Sequence, residues 1–151
     1  MKRFAHLADL AALVGQPLAE SEWMLVEQSR IDAFAQATGD HQWIHTDPQR
    51  AAEGPFGSTV AHGFLTLSLL PAMLKTGFAI DDVRMGINYG LNHVRFPAPV
   101  PAGSRVRARL KLLNFEPLPG SGAQLTLEAT LEREGSAKPV CVAELLTHQY
   151  A

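Results

Sequence analysis

The feature that most constrains this chain is the run Phe64 to Leu74, which is apolar nearly all round and is followed, from residue 85 onward, only by strand-like segments. A helix with no polar face has to be covered on every side. Helices come first in the sequence and a run of alternating segments second, so the cover predicted is an antiparallel sheet and the class α+β, not alternating βαβ units. One long helix lying on a curled sheet is the economical packing. Gly63 opens this helix, Gly77 ends it, and Pro71 is expected to kink it near Leu67, because proline removes one hydrogen bond of the ladder.

The strands are read from period-two patterning. Met85–Phe96 carries Ile87, Tyr89, Val94 and Phe96, Arg105–Lys111 alternates basic and apolar residues, and Ala123–Arg133 places Leu125, Leu127, Ala129 and Leu131 on one side. Val140–His148 is the last strand. Turn-forming residues at 117–122 and 135–139 make the reversals between them. Upstream, Phe4, Leu7, Leu10, Ala11 and Val14 recur at helical spacing, predicting a short amphipathic helix over 4–14, and Trp23–Val26 reads as a strand. Ser29 with Asp32 resembles a capping box for a helix that Gly39 ends, and Asp47-Pro48 reads as the cap and first residue of a helix running to about Glu53. No linker or repeat interrupts the 151 residues, so one domain over 1–151 is expected.

Composition narrows the function. A formal charge of -2 gives no electrostatic footprint for nucleic acid or a membrane surface, and the apolar run holds Thr66, Ser68 and Pro71 and is too short to span a bilayer. The first residues lack a signal-peptide pattern, and the lone Cys141, between Val140 and Val142, reads as a small buried hydrophobe. A cytoplasmic location is the expectation.

Two constellations carry chemistry. Gly39 throws Asp40 out of the preceding helix, and His45 lies five positions on, in what reads as irregular backbone. A carboxylate and a neutral imidazole together can hold a water and take its proton, although Asp40 equally suits a turn cap and His45 a satisfied histidine. His62-Gly63 is the second. The first N–H of a helix is unpaired and stabilises a carbonyl oxygen that gains charge, although a plain loop glycine reads the same way. His41, His45 and His62 invite a metal reading, but no H-E-x-x-H or cysteine cluster supports one. The stripe Arg105, Arg107, Arg109 and Lys111 is read as a solvated face, with carrier phosphates as the other possibility. Arg95, between Val94 and Phe96, calls for a partner.

Thr38-Gly-Asp-His-Gln-Trp-Ile-His-Thr-Asp-Pro, Val60-Ala-His-Gly-Phe-Leu-Thr-Leu-Ser and Ile87-Asn-Tyr-Gly-Leu-Asn-His-Val-Arg-Phe-Pro, in this order, resemble the MaoC-like dehydratase family, in its nodulation-protein-N-like branch. The resemblance implies the hotdog fold and the activity of an (R)-specific 2-enoyl-CoA hydratase or 3-hydroxyacyl-thioester dehydratase, without metal or cofactor. It matches Asp40 and His45 to the catalytic pair and Gly63 to the glycine whose N–H receives the thioester oxygen. Gln42, His62, Asn88 and Arg95 fall in or beside its motifs as substrate-binding residues. The implied partners are an acyl thioester, on coenzyme A or an acyl carrier protein, and a second copy of the chain in a homodimer. A hotdog thioesterase and a non-catalytic acyl-thioester-binding subunit are the competing readings.

Overall fold

The computed structural model describes residues 1–151. Its strands are β1 Lys2–Phe4, β2 Pro17–Glu20, β3 Met24–Val26, β4 Phe78–Ile80, β5 Met85–Arg95, β6 Ser104–Leu118, β7 Gly122–Arg133 and β8 Cys141–Tyr150. Its α-helices are α1 Gln28–Thr38, α2 Trp43–Thr46, α3 Pro48–Ala52, α4 Gly63–Ser68 and α5 Leu70–Gly77. The main sheet is antiparallel in the order β2-β6-β7-β8-β5, and β3 pairs with the start of β6 beside β2. The α+β class with a run of antiparallel strands at its C-terminal half is therefore as expected.

The alternation in β6 and β7 decides which side of the sheet meets the helices. Val106, Ala108, Leu110 and Leu112 of β6 and Ala123, Leu125, Leu127, Ala129 and Leu131 of β7 are buried, and they form one cluster with Leu65, Leu69, Leu70 and Met73 of the central helix. The helical segments touch β8 at one end and β6 and β2 at the other, so the sheet reaches around them. Helix and sheet each cover an apolar face that neither could leave in water.

The central helix is two segments. Leu69 separates α4 from α5 and caps the second, and Pro71 occupies that segment's first turn. A proline there lacks only an N–H that the start of a helix leaves unpaired anyway. The interruption thus falls two residues beyond the kink expected at Leu67.

Other differences have physical reasons. The helix expected over 4–14 is a strand followed by a 3-10 turn, Leu7–Leu13, because β1 pairs in parallel with β4 and the Leu7 N–H donates to Asp82 Oδ1 at 3.0 Å. Strand β2 was not legible: four residues, held by β6. α1 starts at Gln28 instead of Ser29, with Asp32 accepting from the Gln28 side chain at 2.8 Å. The basic stripe faces solvent but its three arginines are compensated, since Glu20 and Glu132 each pair with both Arg107 and Arg109, and Glu134 pairs with Arg105. It is therefore not a free cradle for phosphates.

Candidate active site

Gly39 ends α1 in the left-handed conformation, φ 81°, and its N–H returns to the Ala35 carbonyl. Asp40 is thereby released into an exposed loop, where its Oδ1 accepts the Gln42 N–H at 3.3 Å. His45 does not lie in irregular backbone, as its spacing suggested, but on the single turn α2. That turn is held from outside. Thr46 Oγ1 donates to the His41 carbonyl at 3.0 Å, the Val60 N–H donates to the Ile44 carbonyl at 3.0 Å, and Asp47 closes α2 while its carboxylate caps α3 through the Arg50 N–H.

The two buried histidines are locked by main-chain carbonyls. His45, 7% exposed, has Nδ1 2.7 Å from the Val60 carbonyl oxygen. A carbonyl only accepts, so Nδ1 carries the proton and Nε2 keeps a free lone pair. The Gln28 amide donates to the His45 carbonyl at 2.7 Å and is itself fixed by the Thr59 hydroxyl. His62, 3% exposed, likewise donates from Nε2 to the Asp40 carbonyl at 2.9 Å, and its Nδ1 is buried without a partner. The His45 and His62 rings stack with centroids 3.9 Å apart and planes 23° apart, with Phe34 packed against His62.

One donor atom from each of Asp40, His45 and His62 lies within 4.8 Å of the others. Two acceptors no farther apart than that can be spanned by one water making two hydrogen bonds of about 2.8 Å. The same three residues have the composition of a metal ligand set. Two stacked imidazoles, however, keep their lone pairs in nearly parallel planes, whereas a shared cation needs them to converge. The geometry suits a water.

Gly63 follows His62 as the first residue of α4, so its N–H has no acceptor inside the helix. A Cβ there would lie 3.0–3.1 Å from the Phe96 ring, and Gly63, Thr66, Ile44 and Phe96 line a cleft of about 340 Å³. The remaining candidates are dispersed. Gln42 is exposed and meets Asp40 through its main chain. Arg95, also exposed, finds its partner in the neighbouring Val94 carbonyl at 2.7 Å. Asn88, on β5, lines cavities beneath α5. Sequence reasoning missed the Gln28–Thr59 bracket and the Val60 carbonyl. The second is a main-chain group, which no residue type signals.

Comparison with known proteins gives the family and the fold. A family model described as "MaoC like domain" matches residues 9–131. The chain is 53% identical over all of both chains to the 3-hydroxyacyl-thioester dehydratase Z of Mycobacterium tuberculosis. It is 50% identical over 93% of its length, and 89% of the relative's, to nodulation protein N of Rhizobium leguminosarum. Among solved structures, the R-hydratase PhaJ1 of Pseudomonas aeruginosa superimposes with a TM-score of 0.71 at 26% identity, covering 91% of this chain and 81% of that one. The MaoC-like dehydratase of Rhodospirillum rubrum, at 24% identity and 96% coverage of both, gives 0.76 and bears on the fold alone. The chain belongs to the MaoC-like dehydratase family, and its antiparallel sheet around a broken central helix is a hotdog fold.

Proposed function

We propose that the chain is an (R)-specific 2-enoyl-thioester hydratase, acting in reverse as an (R)-3-hydroxyacyl-thioester dehydratase. The observation that carries this reading is the pair Asp40 and His45, whose ligand atoms lie within 4.8 Å, close enough to share one water, together with a His45 tautomer that leaves one ring nitrogen a lone pair. The substrate's thioester oxygen lies at the Gly63 N–H. Water oxygen attacks C3 while the π electrons move toward the carbonyl, and the charge on the resulting enolate is met by that N–H. The proton lost by the water passes to the Asp40–His45 pair, and C2 takes up a proton as the enolate collapses. One water has been added. His62 holds the Asp40 main chain in place, and Gln42, Arg95 and Asn88 belong to the substrate's path.

The carrier is coenzyme A or an acyl carrier protein, and two copies of the chain form the working unit. In support of the second point, Phe64 is 71% and Tyr89 61% exposed, and Met85, Ile87 and Leu91 are also exposed on the same edge strand as Tyr89. No helix is long and apolar enough to cross a membrane. The same reading places the enzyme in the cytoplasm, with Cys141 reduced.

Loss of enoyl absorbance from trans-2-butenoyl-CoA tests the reaction. The wild-type protein hydrates it to the (R)-3-hydroxy product, and Asp40→Asn lowers kcat/KM by about 10²–10⁴, the usual worth of a general base. Near-normal turnover by that variant removes Asp40 from the mechanism, and release of free thiol instead of hydration makes the protein a thioesterase.

A further inference from the structure

A helix leaves its last four carbonyls without a partner of their own, and α2 is only four residues long, so the carbonyl of the buried His45 has to find a donor elsewhere. That donor is Gln28, the first residue of α1, whose side-chain N–H reaches the oxygen at 2.7 Å from 17 positions away.

Both protons and the oxygen of this amide are engaged. Gln28 Nε2 also donates to Asp32 Oδ1 at 2.8 Å, and Oε1 accepts the hydroxyl of Thr59, which is 4% exposed. The partners fix which way the amide faces, because a flipped amide would set its oxygen against a carbonyl and a carboxylate, which only accept.

Thr59 precedes Val60, and Val60 is tied to α2 twice. Its N–H donates to the Ile44 carbonyl at 3.0 Å, and its own carbonyl accepts from His45 Nδ1 at 2.7 Å. The bonds therefore close a circuit. It runs from Gln28 to the His45 main chain, through the imidazole to Val60, and back through Thr59 to Gln28. His45 is gripped by its carbonyl and by its ring, and one amide is common to both grips.

Helix α1 extends this control to the carboxylate. Gln28 opens the helix, and Gly39 closes it immediately before Asp40, 11 helical residues later. A rigid rod of about 16 Å thus joins the loop of Asp40 to the bond that holds the turn of His45.

We propose that Gln28 is a positioning residue for the hydration reaction, orienting the His45 imidazole toward the water it shares with Asp40, and that Thr59 acts through it. The assignment rests on the hydratase reading for the reaction, and on the hydrogen-bond circuit for the residues. A catalytic group displaced by about 1 Å loses up to about 10²-fold in rate, so the circuit acts on turnover more than on substrate binding.

The test compares Gln28→Glu, which keeps the size and still accepts from Thr59 but as a carboxylate brings no proton to His45, with Thr59→Val, Thr59→Ser and the Gln28→Glu/Thr59→Val double variant. With trans-2-butenoyl-CoA, kcat is expected to fall roughly ten- to hundredfold in Gln28→Glu and in Thr59→Val, with KM little changed. Thr59→Ser, which keeps the hydroxyl, retains most of the rate. The double variant loses little more than the worse single one, because both substitutions open the same circuit. Thermal unfolding checks that each variant is folded. The imidazole is read without substrate, by proton–nitrogen NMR correlation of the labelled full chain: His45 carries its proton on Nδ1 in the wild type and becomes a mixture of tautomers in Gln28→Glu. An unchanged kcat in the folded single variants, a change confined to KM, or losses that multiply in the double variant overturn the proposal. A wild-type protein that hydrates nothing, yet whose His45 tautomer shifts in Gln28→Glu, overturns only the reaction. Normal hydration with kcat and tautomer both indifferent to Gln28 overturns only the positioning role.

Discussion

A carbonyl oxygen has no proton to give, and that asymmetry settles which nitrogen of each buried imidazole donates. The Val60 carbonyl accepts from His45 Nδ1 and the Asp40 main-chain carbonyl from His62 Nε2. His62 therefore acts on the loop that carries the carboxylate. His62→Phe keeps a ring stacked on His45 but removes the tether. Because small displacements of a catalytic group cost up to about 10²-fold, kcat is expected to fall roughly ten- to hundredfold with KM little changed. Steady-state kinetics on trans-2-butenoyl-CoA measures this, and a change confined to KM would mean that His62 serves binding instead. Asp40, His45 and Gly63 were legible as candidates because their residue types imply their chemistry. The tethers were not, since main-chain acceptors leave no mark in a sequence. Cys141 is a contrasting case: burial pushes its thiol up from 9.0 to about 11. The unfolded chain ionises first, so the thiol favours the folded state below pH 9 and that contribution is lost between pH 9 and 11. Cys141→Ala is expected to flatten the fall in unfolding free energy over that window, measured by urea denaturation at stepped pH. An unchanged slope would show that Cys141 does not govern it.

Elements that stop and start by local chemistry were readable, and those held only by distant partners were not. Gly39 ends α1 and Asp47 begins α3 where the side chains said they would. α2 is four residues long, too short to form by itself, and depends on a strand-like loop for the Val60 bond to Ile44. β1 and β2 are similar, three and four residues whose partners lie far along the chain. Gly39 joins stability to catalysis. No atom lies within 4 Å of a Cβ placed there, so Gly39→Ala meets only the left-handed backbone penalty, about 1–2 kcal/mol. The chain relieves that strain by unwinding the end of α1, which shifts Asp40. Denaturant midpoint and hydration rate are expected to fall together. A lowered midpoint with full activity would show that the cap does not position the carboxylate.

At the scale of the molecule, the sheet ends on one side in a long strand with no further neighbour. β5 pairs with β8 on one side only, and it exposes Met85, Ile87, Tyr89 and Leu91. A long edge strand with free main-chain groups and apolar side chains is an invitation to pair, which proteins that remain monomeric blunt with charge or proline. This one is blunted by neither in its first half, where the seven residues from Met85 to Leu91 carry no charge. The edge also leads to the reacting centre: Arg95 ends β5, Phe96 follows, and its ring meets Phe64 edge-on at 6.4 Å and covers Gly63. On the proposed dimer, a second copy docked on β5 would bury the exposed Phe64 and wall the cleft at Gly63, so that association would complete each site. Ile87→Lys places a charge in the middle of this edge without touching Asp40, His45 or Gly63. It is expected to halve the mass measured by light scattering and to lower hydration of trans-2-butenoyl-CoA in parallel, both recovering as protein concentration rises. A variant that remains dimeric would move the interface to another face. A fully active monomer would show that one chain encloses its substrate unaided.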